Sequence, residues 1–304
     1  MKISRRDFIK IVGTSVATLG LGAKFADFPN APTNLAVPKS PRDSFGMLID
    51  TTKCIGCRQC VLACQKKNNL PSEAKVDKLS AIALTIVAAK NVSTDPNKPD
   101  LRTVKRQCMN CVNPACVSAC TVGALQKRPD GPVIYDSDRC IGCRYCMYAC
   151  PFGVPTFEWE KQFALIRKCD YCADRIDQGK IPACVEACPV KALSFGKRDE
   201  LLTLANERIY TSKDKYVEHI YGANEIGGTS MLYLASVPFE QLGFPALPNE
   251  APAEINATIM HSTPTIAAGM AMALSGIYWL VKRRDEIESQ DPYSGNDKEK
   301  EGGH

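Results

Sequence analysis

Histidine is scarce in this chain of 304 residues, and a nucleotide-binding fingerprint is absent. The three histidines, His219, His261 and His304, have no aspartate or serine arrangement around them that would support acid–base or nucleophilic catalysis. No glycine-rich loop of the kind that cradles a nucleotide occurs. These absences make an active site built from the chain's own side chains the least favoured function.

Cysteine is missing outside residues 54–188, and within them sixteen cysteines fall into four groups of four. The first and third groups read C-x2-C-x2-C-x3-C, the second C-x2-C-x4-C-x3-C and the fourth C-x2-C-x11-C-x3-C. In ferredoxins, three closely spaced thiolates hold one [4Fe–4S] cluster and the fourth ligates another. Sixteen thiolates therefore complete four [4Fe–4S] clusters, with no iron left open for a substrate. The candidate ligands are Cys54, Cys57, Cys60, Cys64, Cys108, Cys111, Cys116, Cys120, Cys140, Cys143, Cys146, Cys150, Cys169, Cys172, Cys184 and Cys188.

Two other uses of cysteine are weaker alternatives. A disulfide framework, in a purely structural cysteine-rich module, fits poorly with two-residue gaps repeated in every group. Zinc uses two C-x2-C pairs and has no use for a third close cysteine. A brown, broadly absorbing protein after anaerobic purification would indicate clusters, because neither disulfides nor zinc give that colour.

The overall charge fits bound clusters better than it fits a nucleic-acid surface. The formal net charge is +5 with neutral cysteines. Each oxidised cluster with its four thiolates carries about −2, so four bring the loaded chain to roughly −3. Six cations beside the ligands either raise local reduction potentials or are ordinary solvated charges: Lys53, Arg58, Lys66, Lys67, Arg139 and Arg144.

An internal repeat organises the cysteine region. The segments 53–60 and 139–146 both read basic-Cys-Ile-Gly-Cys-Arg-x-Cys, and each follows a predicted short strand, at 47–50 and 133–136. An apolar run at 82–87 predicts a further strand. Beyond the last cysteine, the pattern predicts a helix at 200–207 and a strand at 230–237, in a segment that either docks a partner or is structural.

Both ends carry targeting signals. Arg5 and Arg6 precede a weakly apolar run, as in a twin-arginine signal that exports folded proteins; its cleavage point stays open. Residues 264–281 contain no charge and are long enough to span a bilayer, with Lys282, Arg283 and Arg284 directly after them. The positive-inside rule places that basic end in the cytoplasm and the cysteine region outside. A buried core helix is the alternative.

The four cysteine groups resemble those of the four-cluster subunits of molybdopterin oxidoreductases and membrane hydrogenases. The two terminal signals, the Gly-Gly-Thr loop at 227–229 and the segment 237–240 make the chain most similar to HybA-type iron–sulfur subunits of membrane-bound hydrogenase-2. Beta subunits of the formate dehydrogenase and DMSO reductase families are near relatives. The resemblance covers nearly the whole chain and is most specific over residues 46–196. Thr121 stands where proline is expected, a departure that does not touch ligation.

The resemblance implies a nested pairing of the cysteine groups, first with fourth and second with third. One cluster would then be held by Cys54, Cys57, Cys60 and Cys188, and its neighbour by Cys64, Cys169, Cys172 and Cys184. A third would be held by Cys108, Cys111, Cys116 and Cys150, and the fourth by Cys120, Cys140, Cys143 and Cys146.

The fold expected from this resemblance is α+β, with tandem nested ferredoxin-like [4Fe–4S] domains and one C-terminal transmembrane helix. The expected division is a twin-arginine signal at 1–26, a linker at 27–44 and a four-cluster region at 45–196, in which 45–75 joins 160–196 and 100–159 is nested. A docking extension at 197–258, a transmembrane anchor at 259–284 and a cytoplasmic tail at 285–304 follow.

The expected function is that of a non-catalytic electron-transfer subunit. It would relay electrons between a periplasmic catalytic subunit, with a nickel–iron hydrogenase favoured, and an NrfD-like integral membrane subunit that reduces quinone. It would sit on the periplasmic side of the inner membrane. A beta subunit of a molybdopterin enzyme, such as formate dehydrogenase, is the alternative, and an iron–sulfur enzyme with its own active site is less favoured. No nucleic-acid partner is expected.

Overall fold

The structure is a computed structural model that describes residues 44–73, 76–93, 95, 97–159, 161 and 164–289. The strands are β1 (Phe45–Asp50), β2 (Thr85–Asn91), β3 (Leu101–Gln107), β4 (Leu125–Lys127), β5 (Val133–Tyr135), β6 (Thr156–Phe157), β7 (Ile166–Arg167), β8 (Leu193–Lys197) and β9 (Met231–Leu234). The helices are α1 (Gln59–Lys67), α2 (Ala115–Ser118), α3 (Tyr145–Ala149), α4 (Ala173–Asp177), α5 (Ala183–Glu186), α6 (Arg198–Thr211) and α7 (Pro252–Glu288).

A three-stranded sheet in the order β8-β1-β9 forms the centre of the fold. Strand β1 pairs antiparallel with β8, where Met47 lies opposite Phe195, and parallel with β9, where Met47 lies opposite Met231. Both faces of the central strands are covered, so every residue of β9 is buried. The sheet therefore joins the start of the cysteine region to its end and to the segment beyond it.

Three further antiparallel pairs of strands are present in the described residues: β2–β3, β4–β5 and β6–β7. The predicted strand at 133–136 is confirmed as β5. The strand predicted at 82–87 begins only at Thr85 and runs on to Asn91, because it pairs along its whole length with β3. Strand β3 was not predicted from the sequence, because its polar composition conceals the burial of Val104, Lys105 and Gln107.

The segment after the last cysteine is part of the core. The predicted helix and strand there are confirmed as α6, which is longer than expected, and β9, which is shorter. Asp50 is fully buried and accepts hydrogen bonds from the Tyr216 hydroxyl at 2.9 Å and from Arg208 Nη1 at 3.2 Å. Buried Arg198 donates to the carbonyl oxygens of Thr229 and Ala223, each at 2.8 Å, and so fixes the Gly-Gly-Thr loop.

The long C-terminal helix leaves the body of the protein. Its first turn is attached to the cysteine region, where Asn113 Nδ2 donates to Glu254 Oε1 at 3.0 Å. Within the described residues, Ser262–Ile287 is the one stretch long and apolar enough to cross a membrane, and its most apolar part is not buried against the rest of the chain. The twin-arginine signal at 1–26, nearly all of the linker and residues 290–304 of the tail lie outside the described residues.

Candidate iron–sulfur centres

The fold gathers the sixteen cysteines into four sets. Three of them each line a separate cavity. These are the Cys54 quartet (Cys54, Cys57, Cys60, Cys188), the Cys64 quartet (Cys64, Cys169, Cys172, Cys184) and the Cys120 quartet (Cys120, Cys140, Cys143, Cys146). The remaining four form the Cys108 quartet (Cys108, Cys111, Cys116, Cys150), in which the other three thiolates lie close enough to raise the pKa of Cys111. The four sets coincide with the nested pairing that the resemblance implies.

The two Cys-Ile-Gly-Cys loops have the same backbone conformation. Gly56 and Gly142 are left-handed, with φ of 72° and 69°, and so are Arg58 and Arg144, with φ of 59° and 63°. Glycine adopts this conformation freely, whereas a side chain there is strained. Because the strain recurs at the same place in both copies, the repeat in the sequence is also a repeat of the loop that turns three thiols inward.

A second repeat is present in the other two cysteine groups. Residues 114–120 and 182–188 both read Pro-Ala-Cys-Val-x-Ala-Cys, and both form a one-turn helix that starts after the proline. In each copy, the backbone amide four residues after the last cysteine donates to its sulfur. Ala124 reaches Cys120 Sγ at 3.2 Å and Ala192 reaches Cys188 Sγ at 3.3 Å. Such amide hydrogen bonds to a ligating sulfur stabilise its negative charge.

Eight of the sixteen thiols have a pKa above the ordinary value of a cysteine. Burial, reinforced by the Cys184 thiolate, raises the pKa of Cys64 to about 12. Burial and the Cys108 thiolate likewise raise the pKa of Cys116 to about 12. Iron binding to thiolate must therefore displace protons from these sites, as expected when several anions converge on a group of cations.

Each quartet lies close enough to the next for a thiolate of one to raise the pKa of a thiol in the other. Cys60 of the Cys54 quartet neighbours Cys184 of the Cys64 quartet. Cys169 of the Cys64 quartet neighbours Cys108. Cys116 of the Cys108 quartet neighbours Cys146 of the Cys120 quartet. The quartets thus follow one another as Cys54, Cys64, Cys108 and Cys120.

Exposure distinguishes the ends of this series from its middle. Cys57 of the Cys54 quartet and Cys143 of the Cys120 quartet are exposed, whereas the Cys64 and Cys108 quartets have no exposed member. An exposed isoleucine precedes each exposed cysteine by two residues, Ile55 at 65% and Ile141 at 66% exposure. The two terminal quartets are therefore the ones that another protein can approach closely.

Three lysines lie beside the quartets, with Lys105 and Lys168 buried and Lys127 partly buried, and none of them was predicted from the sequence as a site residue. Lys105 lines the cavities of both the Cys54 and the Cys64 quartets. Lys127 and Lys168 are neighbours of the Cys108 quartet, and their ammonium groups donate to backbone carbonyl oxygens of Gly131 and Val133 respectively. Burial lowers the pKa of Lys127 to about 8.

Two of the cations next to the ligands have surface carboxylate partners. Arg58 pairs with Asp77 at 3.3 Å, and Lys67 pairs with Asp174 at 2.7 Å. Because each is close to a carboxylate and to water, its field at the cysteines is reduced. The buried lysines are better placed to act on a cluster.

The residues present fit a cubic cluster better than a single metal ion. In the described part of the chain, no three His, Cys, Asp or Glu side chains converge closely enough to hold one ion. A single Zn²⁺ needs its thiolates at about 2.3 Å, whereas a cube binds each thiolate at a separate corner. Gln107 Nε2 and the Tyr171 hydroxyl are buried without a hydrogen-bond partner among the described residues, and both residues line the Cys64 quartet cavity. Cluster sulfides would supply the missing acceptors. All sixteen cysteines lie in described segments and none forms a disulfide.

Comparisons with known families agree with this geometry. Residues 100–198 match the family described as 4Fe-4S dicluster domain, and residues 47–67 match the 4Fe-4S binding domain. The fold and the site thus define a ferredoxin-type protein that holds more than one 4Fe-4S cluster.

Three relatives show which family of ferredoxin-type proteins the chain belongs to. The chain is 36% identical to "Hydrogenase-2 operon protein HybA" of Escherichia coli O157:H7, over 98% of the chain and 100% of that protein. It is 30% identical to "Formate dehydrogenase, nitrate-inducible, iron-sulfur subunit" of Escherichia coli K12, over 82% of the chain and 89% of that protein. It is 41% identical to one polypeptide of the anaerobic dimethyl sulfoxide reductase of the same strain, over 52% of the chain and 75% of that polypeptide. The chain belongs to the family of HybA-like iron–sulfur subunits, as its sequence predicts.

Proposed function

We propose that this chain is the electron-transfer subunit of a membrane-associated oxidoreductase complex, with four [4Fe–4S] clusters as its cofactors. The observation that carries the proposal is the linear order of four complete cysteine quartets, exposed only at its ends. When bound, each cluster accepts and releases one electron at a time. The polypeptide spaces the ligands, keeps water from the inner quartets and places lysines beside them.

The proposed domain organisation is the nested one expected from the sequence. Strand β1 pairs with β8. Cys64, whose sulfur accepts a hydrogen bond from Asn68 Nδ2 at 3.6 Å, lines one cavity together with three cysteines from residues 169–184. These contacts support a unit made of 45–75 and 160–196. The β4–β5 hairpin lies between the second and third cysteine groups and supports a unit at 100–159. The segment 197–258, proposed as a docking extension, also completes the central sheet.

The proposed partners lie at the two ends of the series. A catalytic subunit would exchange electrons at one exposed quartet and an NrfD-like, quinone-reducing membrane subunit at the other. We infer a nickel–iron hydrogenase as the catalytic partner, because the HybA relative matches over its whole length. The sequence offers no constellation of its own for catalysis, so the proposed role is electron transfer.

We infer that α7 anchors the subunit in the inner membrane, with the clusters on the periplasmic side. Ile266, Met270 and Leu274 are more than half exposed on this helix, which is costly in water and favourable in lipid. Lys282, Arg283 and Arg284 follow the apolar span and favour a cytoplasmic C-terminus. Export through the twin-arginine route fits clusters that are inserted before translocation.

Metal analysis of the complex, extracted gently in detergent from native membranes, tests the choice of partner. The proposal expects nickel, together with about sixteen irons from this chain and additional iron from the partner. Molybdenum or tungsten without nickel would instead identify the second candidate, a beta subunit of a molybdopterin enzyme. The similarity to the formate dehydrogenase subunit is the observation that favours this second candidate.

A further inference from the structure

Lys105 is a buried cation placed between two quartets. It lies on β3, is 2% exposed, and lines both the Cys54 and the Cys64 quartet cavities. Its ammonium group donates to Gln107 Oε1 at 2.6 Å. Its electrostatic neighbours include Cys184 and Cys60, one from each quartet.

A protonated amine at this position requires a negative counter-charge. Transfer of an ammonium ion away from water is expensive unless it is paired, and a neutral amide such as Gln107 does not neutralise it. Two anionic clusters, one on each side of the ammonium group, would neutralise it.

The backbone holds Lys105 in place. Its carbonyl oxygen accepts a hydrogen bond from the Tyr233 hydroxyl at 3.1 Å, and its strand pairs with β2 at Val87. Val87 itself lines the Cys54 quartet cavity. The side chain therefore cannot move into water without disturbing the hairpin that covers both cavities.

We propose that Lys105 is a shared counter-charge that raises the reduction potentials of the two clusters held by the Cys54 and Cys64 quartets together. Reduction adds one electron to a cluster and makes it more negative, so a fixed neighbouring cation favours the reduced form. Because the ammonium group borders both cavities, its field acts on both clusters. This inference rests on the proposed function, since it requires clusters in these quartets.

The test is a redox titration of the full-length protein in its detergent-extracted complex, followed by electron paramagnetic resonance, with dithionite as the electron source. In Lys105→Met, the ratio of reduced to oxidised cluster at a fixed potential should fall at least tenfold for two of the four clusters, which is a shift of about 59 mV for one electron. The other two should stay within threefold of the wild type. Lys90→Met is the matched control, because Lys90 is exposed on the same hairpin and should leave all four unchanged.

A second variant protects the test against misassembly of the first. Lys105→Gln removes the charge but keeps a side-chain amide that can donate to Gln107 Oε1, so it should lower the same two potentials. Four unmoved potentials in a variant with full iron content would overturn the inference, as would a shift of one cluster alone or an equal shift of all four. A wild-type protein without iron would contradict the proposed function itself, which keeps the two failures distinct.

Discussion

Replacing Asp50 with asparagine should destabilise the protein strongly, although Asp50 binds no cluster. The carboxylate is fully buried at the end of β1, four residues before the first ligand. It accepts hydrogen bonds from Tyr216, Arg208 and both the amide and the hydroxyl of Thr52, the last at 2.6 Å. An amide in its place turns two N–H donors toward these donors and removes the charge that Arg208 faces.

The magnitude follows from the bonds lost. Two charge-assisted hydrogen bonds, at roughly 1.5–3 kcal/mol each, give a loss of about 3–6 kcal/mol in the free energy of unfolding. For a chain of this size, that loss lowers the melting temperature by roughly 6–24 °C. The assay is thermal unfolding of the anaerobically purified protein, followed by circular dichroism and by loss of the broad cluster absorption.

Asp100→Asn is the matched control for this prediction. Asp100 pairs with Arg102 at 2.8 Å, but both side chains are more than 40% exposed, so the change should cost less than about 1 kcal/mol. If the Asp50 variant melted within about 2 °C of the Asp100 variant, the inclusion of residues 197–250 in the cluster-bearing core would be refuted.

Other perturbations separate backbone, protonation and ligation effects. Gly222→Ala should unfold or misassemble the protein, because a Cβ there would lie 2.2 Å from the Met231 carbonyl oxygen. The control Gly153→Ala has the same left-handed backbone but nothing within 4 Å of the new Cβ, so it should cost only about 1 kcal/mol of stability. Expression level and melting temperature distinguish the two variants. In protein stripped of iron with a chelator, the pKa values of Cys64 and Cys116 are about 12 in the folded state, above the ordinary 9.0. The free energy of unfolding, measured with urea, should therefore have its full value below pH 9 and fall as the pH rises toward 12. Flat stability across that range would contradict buried thiols. Cys143→Ser should remove or alter one cluster and cut electron transfer while the protein stays folded, measured by iron content and by turnover of the intact complex; unchanged values would exclude this ligand.

The ligands were predictable because their chemistry is local. Spacing alone brings three thiols of a Cys-Ile-Gly-Cys loop together, and the repeat at 53–60 and 139–146 predicted the shared loop seen in the structure. The longer repeat at 114–120 and 182–188 was also readable, since it is present residue by residue.

The roles of Lys105 and of β9 depend on contacts between distant parts of the chain. Lys105 lies in a strand of mixed polar composition that looks solvated, and only its packing under two cavities shows that it is buried. Strand β9 pairs parallel with β1 across more than 180 residues of sequence, from Met47 to Met231. No local pattern encodes a partner at that separation, because parallel pairing needs a long crossover rather than a turn.

The central claim is that this one polypeptide holds four [4Fe–4S] clusters. The most direct test is iron, acid-labile sulfide and zinc per polypeptide in the full-length protein purified without oxygen. We expect about sixteen irons and sixteen sulfides per polypeptide, with negligible zinc. Zinc in place of iron, or cysteines recovered as disulfides, would contradict the claim.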